Sequence, residues 1–455
     1  MNRWSVHVKH FGKIKEAVVE VSPMTLFLGD NNSGKSYMMT LLYGLLNIRL
    51  FFSKYDFAED SPAYQKCVKV LERNLNWDAG NSVQTFKLTP KECIYFAELL
   101  NAILEKNKEI FLRDLFNKEM EIGQIQVTFP EKMDCGFKIS RGYSVNDKEA
   151  HMSIFGMDGE KSIIYGYSIS VNQFKERGGF QFFLAYMMEF MLKDGFTEMR
   201  RGDAVYFPMA RTGFLLTYKS LVGSAMQDKF NLQETSKNLL TKPNSDFLTA
   251  LSQLDTLKPR EEYREIVEFI EQQVIHGRVK RTELPSHEIL YTPEGQEKQL
   301  PMFVVSGVVT EMAPLLLFLQ YTNLGTLLME EPEISLHPEL QWTIARVLIR
   351  IHNKGVPVFV TTHSDIILQH VNNMLKLEAA EGKEASLRKL GYDFQDLLKR
   401  EDAAVYQFDV DEEKWTTVTR LPCGDYGFEA MTFYNTLRKL NDQIDCIEKV
   451  ESEEA

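Results

Sequence analysis

The sequence predicts an α/β fold in which a mixed central sheet is flanked by helices. Three short apolar runs of strand length, at residues 24–28, 326–329 and 356–360, indicate buried strands. A glycine-rich turn and an apolar helix follow the first run, and acidic or polar residues follow the other two. Strands that alternate with helices in this way are typical of parallel pairing in a sheet covered on both faces.

The remaining elements follow from periodicity along the chain. Further strands are predicted as a pair within 5–21 and at 124–129, 137–143, 162–171, 204–208, 278–283, 288–291, 405–410 and 415–421. Helices are predicted at 35–48, 61–76, 90–120, 179–194, 308–320, 338–353 and 429–441. Residues 223–275 mix acidic and basic side chains and are interpreted as a solvated helical arm, while the acidic tail 448–455 is expected to fray.

These elements predict a chain in four parts, of which the first is assembled from three separated stretches. The parts are a head (1–50, 200–222 and 300–375), a mixed α/β insertion (51–199), a helical arm with return strands (223–299), and a C-terminal hairpin and helix (376–455).

Composition narrows the classes of protein. A net charge of −12 argues against a surface that coats nucleic acid indiscriminately, although a local basic groove can still bind it. Five scattered cysteines without a Cys-x-x-Cys pair indicate neither a zinc site nor a disulfide framework. No charged leader with an apolar stretch opens the sequence, and no apolar window reaches the roughly 20 residues that span a bilayer. We therefore expect a cytoplasmic protein without a membrane partner.

The most specific motif is a glycine-rich loop between a predicted strand and helix. Residues 29–36 fit the pattern G-x-x-x-x-G-K-[ST], and the alternative interpretation is a chance glycine loop. Its glycines allow backbone N–H groups to point at phosphate oxygens, and the helix N-terminus favours an anion. Lys35 is expected to reach the β- and γ-phosphates of ATP, and Ser36 to ligate Mg²⁺. The predicted nucleotide contacts are Gly29, Asn31, Asn32, Ser33, Gly34, Lys35, Ser36 and Tyr37.

Two carboxylates end the predicted strand at 326–329. A Mg-ATP site needs one carboxylate to orient the metal and another to accept a proton from the attacking water. We assign Glu330 to the metal and Glu331 to the water. By itself the pair would be interpreted as an acidic turn after a strand, but the phosphate loop elsewhere in the chain favours the catalytic interpretation.

A histidine follows the next predicted strand. A polar residue at the end of a buried strand beside the phosphate-loop strand can face the γ-phosphate. His363 is therefore predicted to sense that phosphate and position the water, although a lone histidine is more often structural.

Ser306 and Gly307 open the predicted helix before the carboxylate strand. The simplest interpretation is a helix cap. The same helix N-terminus is also a second anion site, and one subunit could supply it to the γ-phosphate of its neighbour, which would close a composite site.

Together these motifs resemble the ABC-type ATPases, in the branch that includes SMC proteins, RecF and OLD-family ATPases. The resemblance covers roughly residues 1–50 and 200–375, and it is closest to OLD-like ATPases of bacterial anti-phage systems. These share the Glu-Glu-Pro-Glu sequence of residues 330–333, a Leu-His-Pro turn as at 336–338, and a shortened Ser-Gly segment. The resemblance implies a P-loop ABC-type ATPase head. It also implies that Arg211 lines the nucleotide site, because residues 206–211 are similar to a Pro-x-x-Arg segment of this group.

The chain departs from the family pattern in two places. Glu330 stands where the family usually has an aspartate, and Val308 and Val309 replace a glycine and a glutamine after the Ser-Gly segment. Asp409 and Asp411 flank a predicted hairpin turn, which does not favour the C-terminal nuclease that many OLD-family members carry.

The resemblance also implies partners. Such heads form at least a homodimer around ATP, and stand-alone subunits of the PtuA-like and AriA-like type pair with a separate nuclease. The first functional hypothesis is therefore an ATP-hydrolysing sensor or scaffold of an anti-phage complex that controls a separate effector, a nuclease or a toxin.

Two other functions stay open. A RecF-like DNA-repair ATPase would bind DNA, for which the candidate basic residues are Arg278, Lys280 and Arg281, with Arg200 and Arg201 elsewhere. Alternatively, the eroded Ser-Gly segment is compatible with an oligomeric scaffold that ATP holds together with little turnover.

Overall fold

The computed structural model describes most of the chain. The described residues are 3–74, 82–131, 133, 135–143, 150–158, 161–170, 178–193, 203–230, 240–254, 257–282, 288–378, 382, 384–431, 438–445 and 447. Arg200, Arg201 and the acidic tail 448–455 lie outside them, as do residues 432–437 of the predicted C-terminal helix. Among the helices that the structure describes, none combines the length and apolar character needed to cross a membrane.

Strands and helices alternate along most of the chain. The strands are β1 (Ser5–Phe11), β2 (Ile14–Glu20), β3 (Met24–Gly29), β4 (Ser82–Leu88), β5 (Gln124–Thr128), β6 (Cys135–Tyr143), β7 (Ala150–Asp158), β8 (Lys161–Ser170), β9 (Ala204–Phe207), β10 (Gly277–Arg281), β11 (Ile289–Pro293), β12 (Leu300–Pro301), β13 (Thr326–Glu330), β14 (Val358–Thr361), β15 (Ala403–Val410), β16 (Thr416–Arg420), β17 (Cys423–Gly424) and β18 (Gly427–Phe428). The helices are α1 (Lys35–Leu46), α2 (Pro62–Asn74), α3 (Pro90–Phe116), α4 (Gly178–Lys193), α5 (Arg211–Phe230), α6 (Lys242–Gln253), α7 (Arg264–Gln273), α8 (Gly307–Tyr321), α9 (Pro338–Asn353), α10 (Asp365–Leu377) and α11 (Glu384–Lys389).

The central sheet is mixed, as predicted. Within the described residues it has nine strands in the order β5-β1-β2-β16-β15-β3-β14-β13-β9. The run from β15 to β9 is parallel throughout. The pairs β1–β2, β1–β5 and β15–β16 are antiparallel. The predicted α/β fold with a mixed sheet flanked by helices is therefore confirmed.

Side chains alternate between two hydrophobic cores, one on each face of this sheet. On β3, Phe27 belongs to the core that α1, α3 and α4 cover, whereas Leu26 and Leu28 belong to the core that α8, α9 and α10 cover. The other parallel strands divide in the same way, with Leu328 on the first face and Leu327 on the second. Because both faces are covered, these strands are apolar runs rather than alternating ones.

The predicted solvated arm is wrong for the residues that the structure describes. Helices α6 and α7 bury Phe247, Leu251, Ile266 and Ile270 in the same core as α8 and α9. Their charged residues lie on the outer face, which explains why the stretch resembles a solvated helix. An amphipathic helix with one apolar stripe packs on a core, and the charged face alone does not reveal that stripe's partner.

The C-terminal hairpin is likewise part of the head rather than a separate part. Strand β15 pairs in parallel with β3, the strand before the phosphate loop, and β16 pairs in parallel with β2. Inside the predicted insertion, β5 joins the central sheet beside β1, and β4, β6, β7 and β8 form a second sheet. The sequence analysis missed β4 and β7.

Candidate functional site

The phosphate loop has a backbone that only its glycines allow. Gly29 has a φ of +136°, and a Cβ there would lie 2.2 Å from the carbonyl oxygen of Phe408 on β15. Gly34 has a φ of +93° and caps the N-terminus of α1. Both residues adopt the positive-φ region that side chains disfavour, so the sequence folds here as its motif predicts.

Lys35 lies across this loop. Its Nζ donates hydrogen bonds to the carbonyl oxygens of Gly29 and Asp30, at 2.9 and 2.7 Å, and lies 3.4 Å from Oγ of Ser33. Burial lowers the pKa of Lys35 to about 8, and the negative charges of Glu331 and Asp30 oppose that shift. The ammonium group is therefore cationic at neutral pH, inside the loop where a phosphate would be held.

The other predicted loop contacts differ in their surroundings. Asn31, Asn32 and Ser36 are exposed at the mouth of the loop. Tyr37 is 38% exposed, and its ring contacts the rings of Phe11 and Phe116. The nucleotide contact proposed for Tyr37 therefore stays a prediction, because its described neighbours are aromatic.

The strand order brings the catalytic candidates to one edge of the sheet. β14 lies between β3 and β13, and the three strands are parallel. Their carboxyl ends therefore meet, with the phosphate loop after β3, Glu330 and Glu331 at the end of β13, and His363 just after β14. In open parallel sheets ligands bind outside these carboxyl ends.

Glu330 is buried and tied to β9. Its Oε2 accepts a hydrogen bond from the backbone N–H of Met209 at 3.2 Å. The hydroxyl of Tyr206 contacts both Thr40 and Glu330, and burial, followed by the charge of Glu330, raises the pKa of Tyr206 well above its usual value. Tyr206 therefore stays protonated and fixes the carboxylate.

The residues present fit a magnesium ion. Ser36 is the second residue of α1, Glu330 ends β13, and these two elements are in contact. A hydroxyl and a carboxylate are the hard oxygen ligands that Mg²⁺ prefers. Among the described residues there is no cluster of three or more His, Cys, Asp or Glu side chains for a metal. Mg²⁺ would therefore complete its coordination with phosphate oxygens and water, as it does in many nucleotide sites.

Glu331 has an uncommon backbone conformation. Its φ is +40°, in the left-handed region that few residues other than glycine adopt. Its N–H donates to the carbonyl oxygen of Thr361 at 2.9 Å and lies 3.3 Å from the Oγ1 of the same residue. Its Oε1 lies 3.6 Å from Nε2 of His363. The predicted general base and the predicted sensing histidine are thus brought together.

Glu333 holds the histidine and is a site residue that the sequence analysis missed. Its Oε1 accepts hydrogen bonds from the N–H of His363 at 2.6 Å and from the hydroxyl of Thr362 at 2.8 Å. Burial raises the pKa of Glu333. Its place in the acidic turn, two residues after Glu331, was the available signal.

The imidazole of His363 is about one-third exposed. Burial, followed by the positive charge of Lys35, lowers the pKa of His363. The ring is therefore neutral at pH 7 and can both accept and donate a hydrogen bond. Ser364 begins α10 as its N-cap, so the chain turns away directly after the histidine.

Arg211 does not line the nucleotide site, which corrects the expectation drawn from the resemblance. Its side chain is fully buried, and it donates hydrogen bonds to the backbone carbonyls of Glu330 and Glu331 at 2.8 and 3.1 Å. Its Nε lies 2.9 Å from Oε2 of Glu311. The guanidinium group is therefore engaged by partners behind the turn that carries the two carboxylates. A buried charge is costly unless it has such partners.

Ser306 and Gly307 are exposed at the start of α8. The side chain of Ser306 makes no capping hydrogen bond, and a Cβ on Gly307 would lie 3.5 Å from Cβ of Ser335. They therefore adjoin the turn after the carboxylates rather than the phosphate loop. Their predicted contact with nucleotide stays a prediction.

Comparison with known proteins identifies ATPase domains in both halves of the site. Residues 1–194 match a family model described as an AAA ATPase domain. Residues 235–369 match a model described as an AAA domain, putative AbiEii toxin, of a type IV TA system. No curated protein matches the sequence.

Solved structures of SMC heads are similar at low identity. The SmcHead bound to the C-winged helix domain of ScpA is 11% identical, with 92% of this chain and 96% of that chain covered and a TM-score of 0.36. The SMC head domain from Thermotoga maritima is 11% identical, with 93% and 100% covered and a TM-score of 0.31. The Smc head with an extended coiled coil, derived from Pyrococcus furiosus and bound to the C-terminal domain of ScpA, is 11% identical, with 98% and 100% covered and a TM-score of 0.35. These similarities are too distant to transfer a function.

The two family models cover the phosphate loop, the carboxylates, the Ser-Gly segment and His363. Both family models are described as AAA domains, and they match the two stretches of the chain whose strands meet at this site.

Proposed function

We propose that this chain binds Mg-ATP at the phosphate loop and hydrolyses it with Glu331 as general base. The observation that carries the proposal is the 3.6 Å contact between the Glu331 carboxylate and the His363 imidazole. It lies at the ends of two neighbouring strands, one of which pairs with the phosphate-loop strand. A carboxylate and an imidazole placed in this way can both contact one water that lies beside them in front of the γ-phosphate.

Each side chain has a separate part in the proposed reaction. The attacking water forms a bond to the γ-phosphorus as its proton passes to Glu331, and the bond to the β–γ bridging oxygen breaks to leave ADP. His363, neutral at pH 7, orients the water. Lys35 balances negative charge on the transferred phosphoryl group. Mg²⁺, when bound, supplies further charge neutralisation, and Ser36 and Glu330 are the residues that would hold it.

A second copy of the chain is proposed to complete the site. Ser306 and Gly307 are exposed at the N-terminus of a 15-residue helix, where N–H groups and the helix dipole favour an anion. Within one chain they adjoin Ser335 rather than the phosphate loop. The γ-phosphate of a neighbouring subunit is an anion that this surface fits, which supports a head-to-tail homodimer.

The test is steady-state phosphate release from Mg-ATP by the wild type and by Glu331→Gln. We expect the substitution to lower kcat by about 10²- to 10⁴-fold, the usual contribution of a general base. ATP affinity should be retained, since Lys35 and the loop are unchanged. Equal release by both proteins would assign the base elsewhere. No release by either protein would favour the ATP-held scaffold.

For the biological role, we propose a sensor or scaffold of an anti-phage complex that controls a separate nuclease or toxin. The support is the match of residues 235–369 to a model whose description names a toxin of a TA system. Phage should form fewer plaques on cells that carry the wild-type chain with its genomic neighbours than on cells that carry the Lys35→Ala chain with the same neighbours. Deletion of a neighbouring effector gene should abolish protection as fully as Lys35→Ala does. Protection by the chain alone would contradict control of a separate effector.

The DNA-repair alternative has weaker support. Arg278 and Lys280 are exposed on β10, but the carboxylate of Glu271 interacts with both. Arg281 stacks on Tyr321 at 4.7 Å and is thereby engaged within the protein. A DNA affinity that falls steeply with salt would nevertheless favour this alternative.

A further inference from the structure

A fully buried arginine connects the carboxylate turn to the Ser-Gly helix. Arg211 is the first residue of α5 and has no exposed surface. Its Nη1 donates to the carbonyl oxygens of Glu330 at 2.8 Å and Pro208 at 3.3 Å, and its Nη2 donates to that of Glu331 at 3.1 Å. All three acceptors are backbone carbonyl oxygens, so Arg211 acts on the shape of the turn.

The two carbonyl groups held by Arg211 flank the α-carbon of Glu331. The orientations of the peptide groups on either side of an α-carbon define its φ and ψ. Arg211 therefore fixes both torsion angles of the residue whose φ of +40° is disfavoured. A non-glycine residue keeps such a conformation only where its surroundings enforce it. Thr361 holds the N–H of the same residue, so the backbone of Glu331 is fixed from both sides.

The other edge of the guanidinium group faces α8. Oε2 of Glu311 lies 2.9 Å from Nε of Arg211, and Oε1 accepts a hydrogen bond from Oγ1 of Thr212 at 2.6 Å. Glu311 is 4% exposed and follows Gly307 by one helical turn. The carboxylate that pairs with Arg211 is therefore carried by the same turns of helix that expose Ser306 and Gly307.

These first turns of α8 are joined to the rest of the helix by one fewer hydrogen bond than usual. Pro314 lies inside α8 and has no N–H to donate to the carbonyl of Thr310. The hydroxyl of Thr310 donates to the carbonyl oxygen of Gly307 at 2.9 Å, a bond that lies within the first turn and does not replace the missing one. The segment that carries Ser306, Gly307 and Glu311 thus ends near a proline, the residue at which helices most often kink.

We propose that Arg211 is a positioning residue for Glu331, and that Glu311 links it to the Ser-Gly helix. Contact of Ser306 and Gly307 with the γ-phosphate of a second copy is thereby transmitted to the carboxylate that activates water in their own subunit. This inference rests on the proposed ATP hydrolysis and on the homodimer. It goes beyond them in naming the residues that couple the two composite sites.

The experiment uses the full-length protein with Arg211→Lys and with the double variant Arg211→Met and Glu311→Met. Lysine keeps the positive charge beside Glu311, but its single nitrogen cannot replace the fork that spans two carbonyls. The double variant removes both buried charges, so neither is left unpaired. Both variants lose hydrogen bonds to backbone carbonyl oxygens, so their melting temperatures should fall, and kcat is measured where they remain folded.

We expect both variants to bind ATP with unchanged affinity and KM while kcat falls by about 10- to 100-fold, as misplacement of a catalytic group by about 1 Å does. Any cooperative dependence of the hydrolysis rate on ATP concentration should also be lost in both variants. The matched control is Arg350→Lys, which alters another buried arginine that pairs with Asp396 away from the site. It should lower the melting temperature and leave kcat unchanged.

Either variant that is folded at the assay temperature and has wild-type kcat would overturn the inference. A raised KM with unchanged kcat would also overturn it, because Arg211 would then act in nucleotide binding. Wild-type protein without phosphate release would overturn the proposed function and this inference together. If the wild type releases phosphate and the double variant releases it equally fast, the inference is overturned and the proposed function stands.

Discussion

Oε1 of Glu331 lies 3.6 Å from Nε2 of His363, although 32 positions of the sequence separate the two residues. The pairing of β13 with β14 creates this contact, because Glu331 follows the first strand and His363 follows the second. Glu333, from the same acidic turn, holds the histidine by its backbone. The contact therefore predicts that the two side chains act on one water.

Replacement of His363 by alanine should slow hydrolysis while ATP binding persists. In the proposed reaction the imidazole is one of two groups that contact the water, so kcat should fall by about 10²-fold or more. Phosphate release and fluorescent-nucleotide binding together check this. His7→Ala, on β1 and away from the site, is the control and should leave both unchanged. A His363→Ala protein with wild-type kcat would show that Glu331 acts without it.

ATP affinity should fall as the pH rises through about 8, because burial lowers the pKa of Lys35 to that value. Lysine is cationic below its pKa, so the attraction for phosphate is present at pH 7 and lost above about 8. Titration of nucleotide affinity between about pH 6.5 and 9.5 checks this. Lys35→Met has no charge to lose and should bind weakly at every pH. Constant wild-type affinity across the range would contradict the shifted pKa.

Gly29→Ala should disrupt the phosphate loop through a clash. Its Cβ would lie 2.2 Å from the carbonyl oxygen of Phe408, and the backbone of β15 cannot easily move. Gly295→Ala is the control, since it has a φ of +70° but open space around the Cβ position. It should cost about 1 kcal/mol from backbone strain alone. We expect Gly29→Ala to lose more stability than this in urea unfolding and to lose ATP binding as well.

Asp396→Asn should lower the free energy of unfolding by about 3 kcal/mol at pH 7, because it removes the charge that pairs with the buried Arg350 and the half-buried Arg346. Asp396 is fully buried and accepts hydrogen bonds from Arg346 and Arg350. Burial raises the pKa of Asp396, but the hydrogen bonds and charges of the two arginines outweigh burial and lower it overall.

The sign of the pH effect follows from that lowered pKa. A carboxyl group with a lowered folded-state pKa stabilises the protein above its unfolded value, near 4, and loses that contribution as the pH falls through the folded value. The difference in unfolding free energy between wild type and Asp396→Asn should therefore shrink below about pH 4. Asp393→Asn, whose side chain is 39% exposed, should have a smaller effect. An equal effect of both substitutions would contradict the role of burial.

The sequence by itself determined the phosphate loop, the carboxylate pair and the histidine. The proposed phosphate binding depends on Gly29, Gly34 and Lys35 within a short stretch of chain, so a local pattern is sufficient to predict them. The alternation of apolar runs with helices likewise predicted a mixed sheet covered on both faces. These features depend on neighbours in sequence or on simple periodicity.

Tertiary structure alone decided how the parts connect. Arg211 and Glu311 are 100 positions apart, and their pairing depends on how α5 packs against α8. The only local indication of this pairing in the sequence was a single acidic residue before the apolar run 312–319. The charged outer faces of α6 and α7 suggested a solvated arm, and the C-terminal hairpin appeared separate until β15 paired with β3. A buried charge, or a strand that joins a sheet, is specified by its partner, and that partner lies far away along the chain.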